Sequence, residues 1–460
     1  MKYYLVLLLT ALMFFTSCDE DDKLSEEEKE KKEQEELLKE VNAWIYEVMD
    51  EIYLWEEHLP KEITDNTQDP EDYFESILYK DEDRFSVIVS DYNELISSLN
   101  GVTKEGGYEF RLVGGANNAV YAIVLYVKEN SPAASAGLKR GEVITAINDV
   151  AMTETNYQNV LEKLDENHTL SIATVNNSGN LSSKGTISIN VVEYSENPIF
   201  MYKVITKDTK KIGYLVYNFF SNGEAGDNYD AAVDAVFADF KAKGVNELIL
   251  DLRYNSGGSI KSATNLASLI APNVGIADVF YMNQFNDLLT AYYKQEGEDT
   301  NGYFLSKADN IGGSLSKIYV LCGRYTASAS ELVINGLKPY MDVELIGMTT
   351  YGKNVGSVPV DDPDNEDNKY GMLPIILKIS NSEGFSDYGK GFTPDVEINE
   401  LETKYMPLKP LGDESEPLLA QAIATIVGLP ARTLPSAAGE AFEAITDQPL
   451  SPYKGHLIVD

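Results

Sequence analysis

Beyond residue 200 the chain alternates between two kinds of segment. KIGYLVYNFF (211–220), NELILDLRYNSGG (246–258) and SKIYVLCG (316–323) are short runs dense in aliphatic and aromatic residues. Between and after them, NYDAAVDAVFADFKAKG (228–244), SASELVINGLKPY (328–340) and SEPLLAQAIATIVG (415–428) carry apolar residues at helical spacing. Gly244 ends the first of these helices and Pro339 stops the second. Buried strands separated by helices predict an α/β core with parallel connections and helices on the sheet faces. A chain of 460 residues exceeds one ordinary core, so further domains are expected.

Two regions precede that core. VNAWIYEVMDEIYLWEEHLP places Val41, Trp44, Ile45, Val48, Ile52 and Leu54–Trp55 on one helical face, and short helices follow from Asp69 to Leu99, which defines a helical domain over 41–104. Residues 105–195 change to β-rich runs such as YAIVLYV and LSIATV separated by turns. The α/β core then spans 196–400, and 401–460 holds a last helix and a Pro/Ala-rich tail. Residues 19–40 are almost wholly charged and read as a solvated tether with helical Glu/Lys pairing.

The formal charge of −37 argues against nucleic acid, whose phosphates need clustered Lys and Arg. Two cysteines far apart, Cys18 and Cys322, exclude a disulfide framework, and Cys322 at the end of an apolar strand reads as core. No metal-ligand cluster is visible, so neither metal nor cofactor is expected. MKYYLVLLLTALMFFTSC (1–18) has a basic residue, an apolar run too short for a comfortable transmembrane helix, and small residues: an export signal.

Three hydroxyls, Thr326, Ser328 and Ser330, crowd the start of the 328–340 helix. Ser328 and Glu331 fit a capping box, which accounts for them without chemistry. A nucleophile would need a base. The three histidines, His58, His168 and His456, fall in the helical region, the β-rich region and the tail. Lys353, in TTYGKNVGS, is the candidate: a buried ammonium is disfavoured, so its pKa falls and the neutral amine accepts a proton. Ser–Lys pairs are an alternative to Ser–His–Asp. In DLRYNSGGS, Gly257 and Gly258 let backbone N–H groups face a site without Cβ obstruction, and the N–H after the nucleophile would join them at an oxyanion.

Three resemblances add to this reading. NSPAASAGLKRGEVITAINDVAM resembles a PDZ domain, with SPAASAGL opening a helix and GEVITAINDV a turn and strand. A PDZ domain binds C-terminal peptides by strand addition. The resemblance implies a carboxylate-binding loop at Gly106, Gly107, Tyr108, Glu109 and Phe110, although GGYEF departs from the usual Gly-hydrophobic-Gly pattern. FTSC resembles a bacterial lipobox, with Cys18 lipidated, and the acidic DEDDK after it resembles the export signal of Bacteroidetes-type surface lipoproteins. These imply a protein anchored by lipid to the outer membrane, on its periplasmic or outer face.

The third resemblance covers roughly 41–425 and is strongest over 212–395. GYLVYNFF, LILDLRYNSGGS, TASASELV, GMTTYGKNVGS and GKGFTPDVEI, behind a PDZ domain, resemble in their order the S41 peptidases, the carboxyl-terminal processing or tail-specific proteases. The resemblance implies an α/β core of the ClpP/crotonase kind. It also implies Ser328 as nucleophile, Lys353 as base, and an oxyanion site of Gly257 or Gly258 with Ala329. Substrates would be exported proteins or peptides recruited through their C-terminal tails. Many members carry glutamine four residues after the lysine, where this chain has Ser357, a possible orienter of the amine. Some carry aspartate where Pro339 stands, and the common NPGG is NSGG here. The competing readings are a catalytically silent PDZ-containing surface binding lipoprotein and a protease of general peptide degradation.

Overall fold

The computed structural model describes residues 25–61, 66–176, 178–224, 228–429, 445 and 457–458. Cys18, the signal segment and His456 lie outside the described residues.

The charged run and the apolar helix after it are one helix, Glu26–Ile52. Its start is a capping box: Ser25 Oγ accepts the Glu28 N–H (3.3 Å) while the Glu28 carboxylate accepts the Ser25 N–H (2.8 Å). Glu and Lys are good helix formers, so the change at residue 41 alters what the helix touches and not whether it is helical. Val41, Ile45 and Met49 bury against Tyr53, Tyr73 and Phe74. Helices Pro70–Ile77 and Tyr92–Leu99 follow, with Asp69 and Asp91 as N-caps. Between them lies a strand absent from the sequence expectations, Val87–Val89, paired antiparallel with Gly371–Leu373. At three residues it is too short to show a period, yet it joins the helical region to the core.

The β-rich region forms an antiparallel sheet in the order Tyr108–Gly114, Val120–Val127, Glu142–Ile147, His168–Val175, Leu181–Ile189. SPAASAGL opens the helix Pro132–Ser135, capped by Ser131, whose Oγ accepts the Ala134 N–H (3.1 Å). Gly141, at φ +81°, packs so closely on the Leu408 backbone that a Cβ would lie 2.9 Å from its nitrogen.

In the core, Ile199–Lys207, Lys210–Tyr217, Glu247–Asp251, Lys317–Cys322, Asp342–Gly347 and Val396–Glu397 lie side by side in one sheet. All pairings after the first are parallel. Alternate residues face opposite layers. Leu215, Tyr217, Leu248, Leu250, Ile318 and Val320 pack with helices Tyr229–Lys243, Ile260–Ile270 and Ala329–Leu337. Tyr214, Val216, Ile249, Tyr319, Leu321 and Ile346 pack with helix Pro417–Ile426. The expected α/β layering is present.

A second sheet goes beyond the sequence expectations. Its order is Gly258–Ser259, Leu457–Ile458, Val355–Ser357, Ile375–Asn381, Val279–Phe285, Gly302–Tyr303. Four of its six strands have only two or three residues, below the length at which alternation is legible.

Arg253, from DLR, ties these parts together. Its guanidinium is buried against Asp251 (2.8 Å), Glu416 (2.7 Å) and Glu400 (3.0 Å). Arg140 of the β-rich region reaches the same Glu400 (2.6 Å). Burial alone would raise the Glu400 pKa, but Arg140 and Arg253 hold it well below the usual carboxylate range.

Candidate active site

Three neighbouring parallel strands, Glu247–Asp251, Lys317–Cys322 and Asp342–Gly347, end at one edge of the core sheet, and their following loops meet there. In open α/β sheets the crevice beyond the strand ends is where ligands bind. The first loop carries Asn255, Gly257 and Gly258; the second carries Thr326, Ser328 and Ser330; the third carries Lys353.

The loops are tied by backbone bonds. Ala327 N–H donates to Asn255 O (3.2 Å), and Tyr351 N–H donates to Thr326 O (2.9 Å). Two of the three hydroxyls are consumed in the same way. Thr326 Oγ1 donates to Leu252 O (2.8 Å) and accepts from Gly323 N–H (2.8 Å). Ser330 Oγ donates to Asn255 O (3.0 Å). Ser328 Oγ is buried and has no hydrogen-bond partner among the described residues. Buried hydroxyls are nearly always satisfied, so an orphan of this kind asks for an explanation. Ser328 is also at φ +59°, ψ −117°, a conformation that costs a non-glycine residue roughly 1–3 kcal/mol.

Glu331 holds that turn. The Ser328 N–H donates to its Oε2 (3.0 Å), which is the Glu half of the expected capping box. The same Oε2 accepts the Lys353 N–H (2.8 Å), while Oε1 accepts the Gly352 N–H (2.8 Å) and the Thr350 hydroxyl (2.5 Å). Burial raises the Glu331 pKa, and these four bonds pull it back. The glutamate therefore sets the serine turn against the lysine loop, a role that spacing could not reveal because Thr350–Lys353 is far along the chain.

The Lys353 side chain is wholly buried. Burial lowers its pKa from 10.5 to about 7, against the opposing pull of the Asp83 and Glu331 carboxylates. Its Nζ lies 5.0 Å from the centroid of Phe85. Phe85 belongs to DEDRFS (81–86), a stretch that sequence reasoning misses. Asp83 Oδ1 accepts the N–H of Phe85 (2.8 Å) and of Ser86 (2.9 Å), and Arg84 donates to Gly352 O and Gly389 O (both 3.1 Å). The only signal in that stretch is a mixed acidic, basic and aromatic run between two helices, which by itself reads as a loop.

Gly257 packs on Ser328: a Cβ there would lie 2.6 Å from Ser328 Cβ and 3.0 Å from its Oγ, and its φ is +116°. Its N–H donates to Asn255 Oδ1 (2.9 Å). Gly258, at φ +125°, would place a Cβ 2.0 Å from Phe220 O. Ala329 begins the helix after Ser328 and is buried. Ser357 lies in the strand after Lys353, and its buried Oγ has no partner among the described residues. Cys322 is buried core, its thiol pushed up to about 12 by burial. His168 is buried between Tyr108 Oη (3.1 Å) and Glu166 O (2.7 Å), and the exposed His58 stacks on Tyr79.

The expected carboxylate loop differs in form. Only Gly106 and Gly107 precede the strand; Tyr108, Glu109 and Phe110 are already within Tyr108–Gly114, paired with Val127, Tyr126 and Val124. Gly107 O accepts the Lys128 N–H (2.9 Å) and the Ser131 hydroxyl (3.1 Å). The Tyr108 ring is held in the core.

Fold and site together define a protein of α/β architecture that carries a PDZ-type sheet and a crevice where the Ser328 and Lys353 loops meet. Residues 40–87 match the Peptidase S41 N-terminal domain, 123–174 a PDZ domain and 211–398 Peptidase family S41. A solved Bacteroides fragilis NCTC 9343 protein assigned to the S41 proteases is 30% identical, with TM-score 0.71, over 84% of this chain and 97% of that one. The chain belongs to peptidase family S41. Proteins named as CtpA-like serine proteases are similar as well. The one from Staphylococcus aureus (strain N315) is 24% identical over 59% of this chain and 49% of its own length. The one from Staphylococcus epidermidis (strain ATCC 12228 / FDA PCI 1200) is 24% identical over 62% and 52%. The chain thus spans about half the length of the curated relatives it matches.

Proposed function

We propose that the protein is a serine endopeptidase of the carboxyl-terminal processing type, with Ser328 as nucleophile and Lys353 as general base. One observation carries the assignment: of three adjacent hydroxyls, Ser328 alone is left without a hydrogen bond, on a strained turn that Glu331 ties to Lys353. The neutral Lys353 amine takes the proton as Ser328 Oγ attacks a peptide carbonyl. The oxyanion rests on backbone N–H groups, with Ala329 after the nucleophile and the Gly257–Gly258 turn opposite it. Gly257, which packs on Ser328, and Gly258 beside it are the two candidates; in this state Gly257 N–H donates to Asn255 Oδ1. Lys353 then protonates the leaving amine, and water hydrolyses the acyl-enzyme. Ser357 Oγ, buried four residues on, is the candidate orienter of the amine.

Substrates in this reading are exported proteins or peptides whose C-terminal tails add as a strand to the PDZ edge. Lipid attachment at Cys18 would hold the enzyme to the cell envelope. The test is cleavage of a fluorescently labelled unfolded casein by the parent and by Ser328→Ala, Lys353→Ala and Ser330→Ala. Loss in the first two, with Ser330→Ala folded and active, is expected; cleavage by Ser328→Ala would sink the assignment. A matched pair of peptides with free and amidated C-termini tests tail recognition.

A further inference from the structure

Gly258–Ser259 and Val355–Ser357 flank the proposed site, one beside the oxyanion turn and the other after Lys353. They do not pair with each other. Leu457–Ile458 lies between them, parallel to both: Gly258 is opposite Leu457, Ser259 opposite Ile458, and Ser357 opposite Ile458. The Ile458 side chain is 8% exposed and packs with Val89, Leu95 and Leu373, with Tyr92 at the margin. A second contact comes from the same stretch of chain. Ile445 N–H donates to Leu112 O (3.2 Å) and its side chain packs on the apolar cluster of the PDZ domain. The strand that holds Leu112, Tyr108–Gly114, is the first in its sheet order, the edge to which a peptide strand would add.

We infer that Leu457–Ile458 is a tethered occupant of the catalytic cleft, seated in the slot where a peptide substrate would lie as a strand. The inference rests on the proposed peptidase reading of that cleft. Two flanking strands supply main-chain hydrogen bonds, which are indifferent to sequence, while the Val89–Leu95–Leu373 pocket selects one aliphatic side chain. Neither contact is large. Tethering raises the effective concentration of the segment to the order of millimolar, so weak contacts suffice to compete with substrate. The Ile445 contact adds competition at the PDZ edge. A substrate gains the cleft by displacing the segment, and the pocket predicts that it does so best with a β-branched or aliphatic residue at that position.

The test uses the full chain with Ile458→Asp, which puts a charge into the apolar pocket, and separately with Leu457→Pro, whose ring locks φ beside that pocket. In a Ser328→Ala background, amide exchange of peptides containing Gly258–Ser259 and Val355–Ser357 is expected to rise about tenfold in either variant. In the active background, the KM for labelled unfolded casein is expected to fall several-fold with kcat little changed. A synthetic peptide of residues 455–460 should reverse that fall. Unchanged exchange in both variants overturns the inference, even if the parent cleaves casein and Ser328→Ala does not. Exchange that responds without cleavage by any variant keeps the seat of the segment but overturns its role as a rival of substrate, together with the peptidase reading.

Discussion

Lys353 donates its backbone N–H to Glu331 Oε2 at 2.8 Å, the oxygen that also receives the Ser328 N–H. One carboxylate oxygen thereby sets the spacing between two loops that carry the proposed nucleophile and base. Glutamine cannot reproduce this, because its NH2 would face two donors or take the place of the oxygen that accepts from Gly352 and Thr350. Glu331→Gln is expected to lower kcat at least about tenfold and to destabilise the fold by roughly 1–3 kcal/mol, the cost of unsatisfied buried polar groups. Steady-state kinetics and chemical denaturation check the two parts; a variant with parental kcat would separate Glu331 from the site.

The pH profile follows from Lys353, whose amine is neutral above about pH 7. The rate of acylation, read as kcat/KM, is expected to rise through about pH 7 and then level. Phe85 covers the amine, so Phe85→Ala admits water, relieves the burial that depresses the pKa, and moves that limb upward by about one unit or more. The lost cation–π attraction acts the other way but is worth only about 1 kcal/mol. A limb that stays in place would show that Phe85 does not shield Lys353.

Stability should carry the same signature. The unfolded lysine titrates near 10.4 and the folded one near 7, so between these values the unfolded chain binds the extra proton. Stability therefore rises with pH across that window, by up to about 1.4 kcal/mol per unit, and the full penalty is present below 7. In Lys353→Met this slope should disappear. Parallel denaturation series at pH 6, 8 and 9.5 measure it.

The two glycines should fail differently. An alanine Cβ at Gly257 meets the Ser328 side chain, whereas at Gly258 it meets the Phe220 backbone at 2.0 Å. Gly257→Ala strains a backbone at φ +116°, so it is expected to lower the melting temperature and to lose activity by about a hundredfold or more, the scale of a damaged oxyanion site. Gly258→Ala is expected to lower the melting temperature further, because its clash is with backbone that cannot move aside. Equal melting temperatures for both variants would contradict this division.

Arg253→Met leaves the Asp251 and Glu416 carboxylates buried without their cation. The loss should be about 3–5 kcal/mol, because removing one partner strands the other charges. Denaturant midpoints of parent and variant measure the loss. A change under 1 kcal/mol would show that Arg253 does not hold the strand, the Glu400 loop and the last helix together.

Much of the core is legible from residue 211 onward because its parallel strands are buried on both faces and its helices keep a clear period. The PDZ unit is legible from one turn-and-strand phrase. Glu331 reads in sequence as a helix cap, which is half of what it does; the other half lies with Thr350, Gly352 and Lys353. The strand Val87–Val89 and the second sheet are not legible, since two or three residues cannot display alternation.

The sequence by itself determined the alternation of strand and helix, the glycines that alone tolerate φ near +120° at 257–258, and the serine at the start of a helix. These are local properties, set by side-chain shape and spacing. Only the tertiary structure decided which of three hydroxyls stays without a partner, since Leu252 and Asn255 claim the other two. It also decided the state of Lys353: an amine's pKa depends on what excludes water from it, and here a phenylalanine from a distant part of the chain stands over the buried amine.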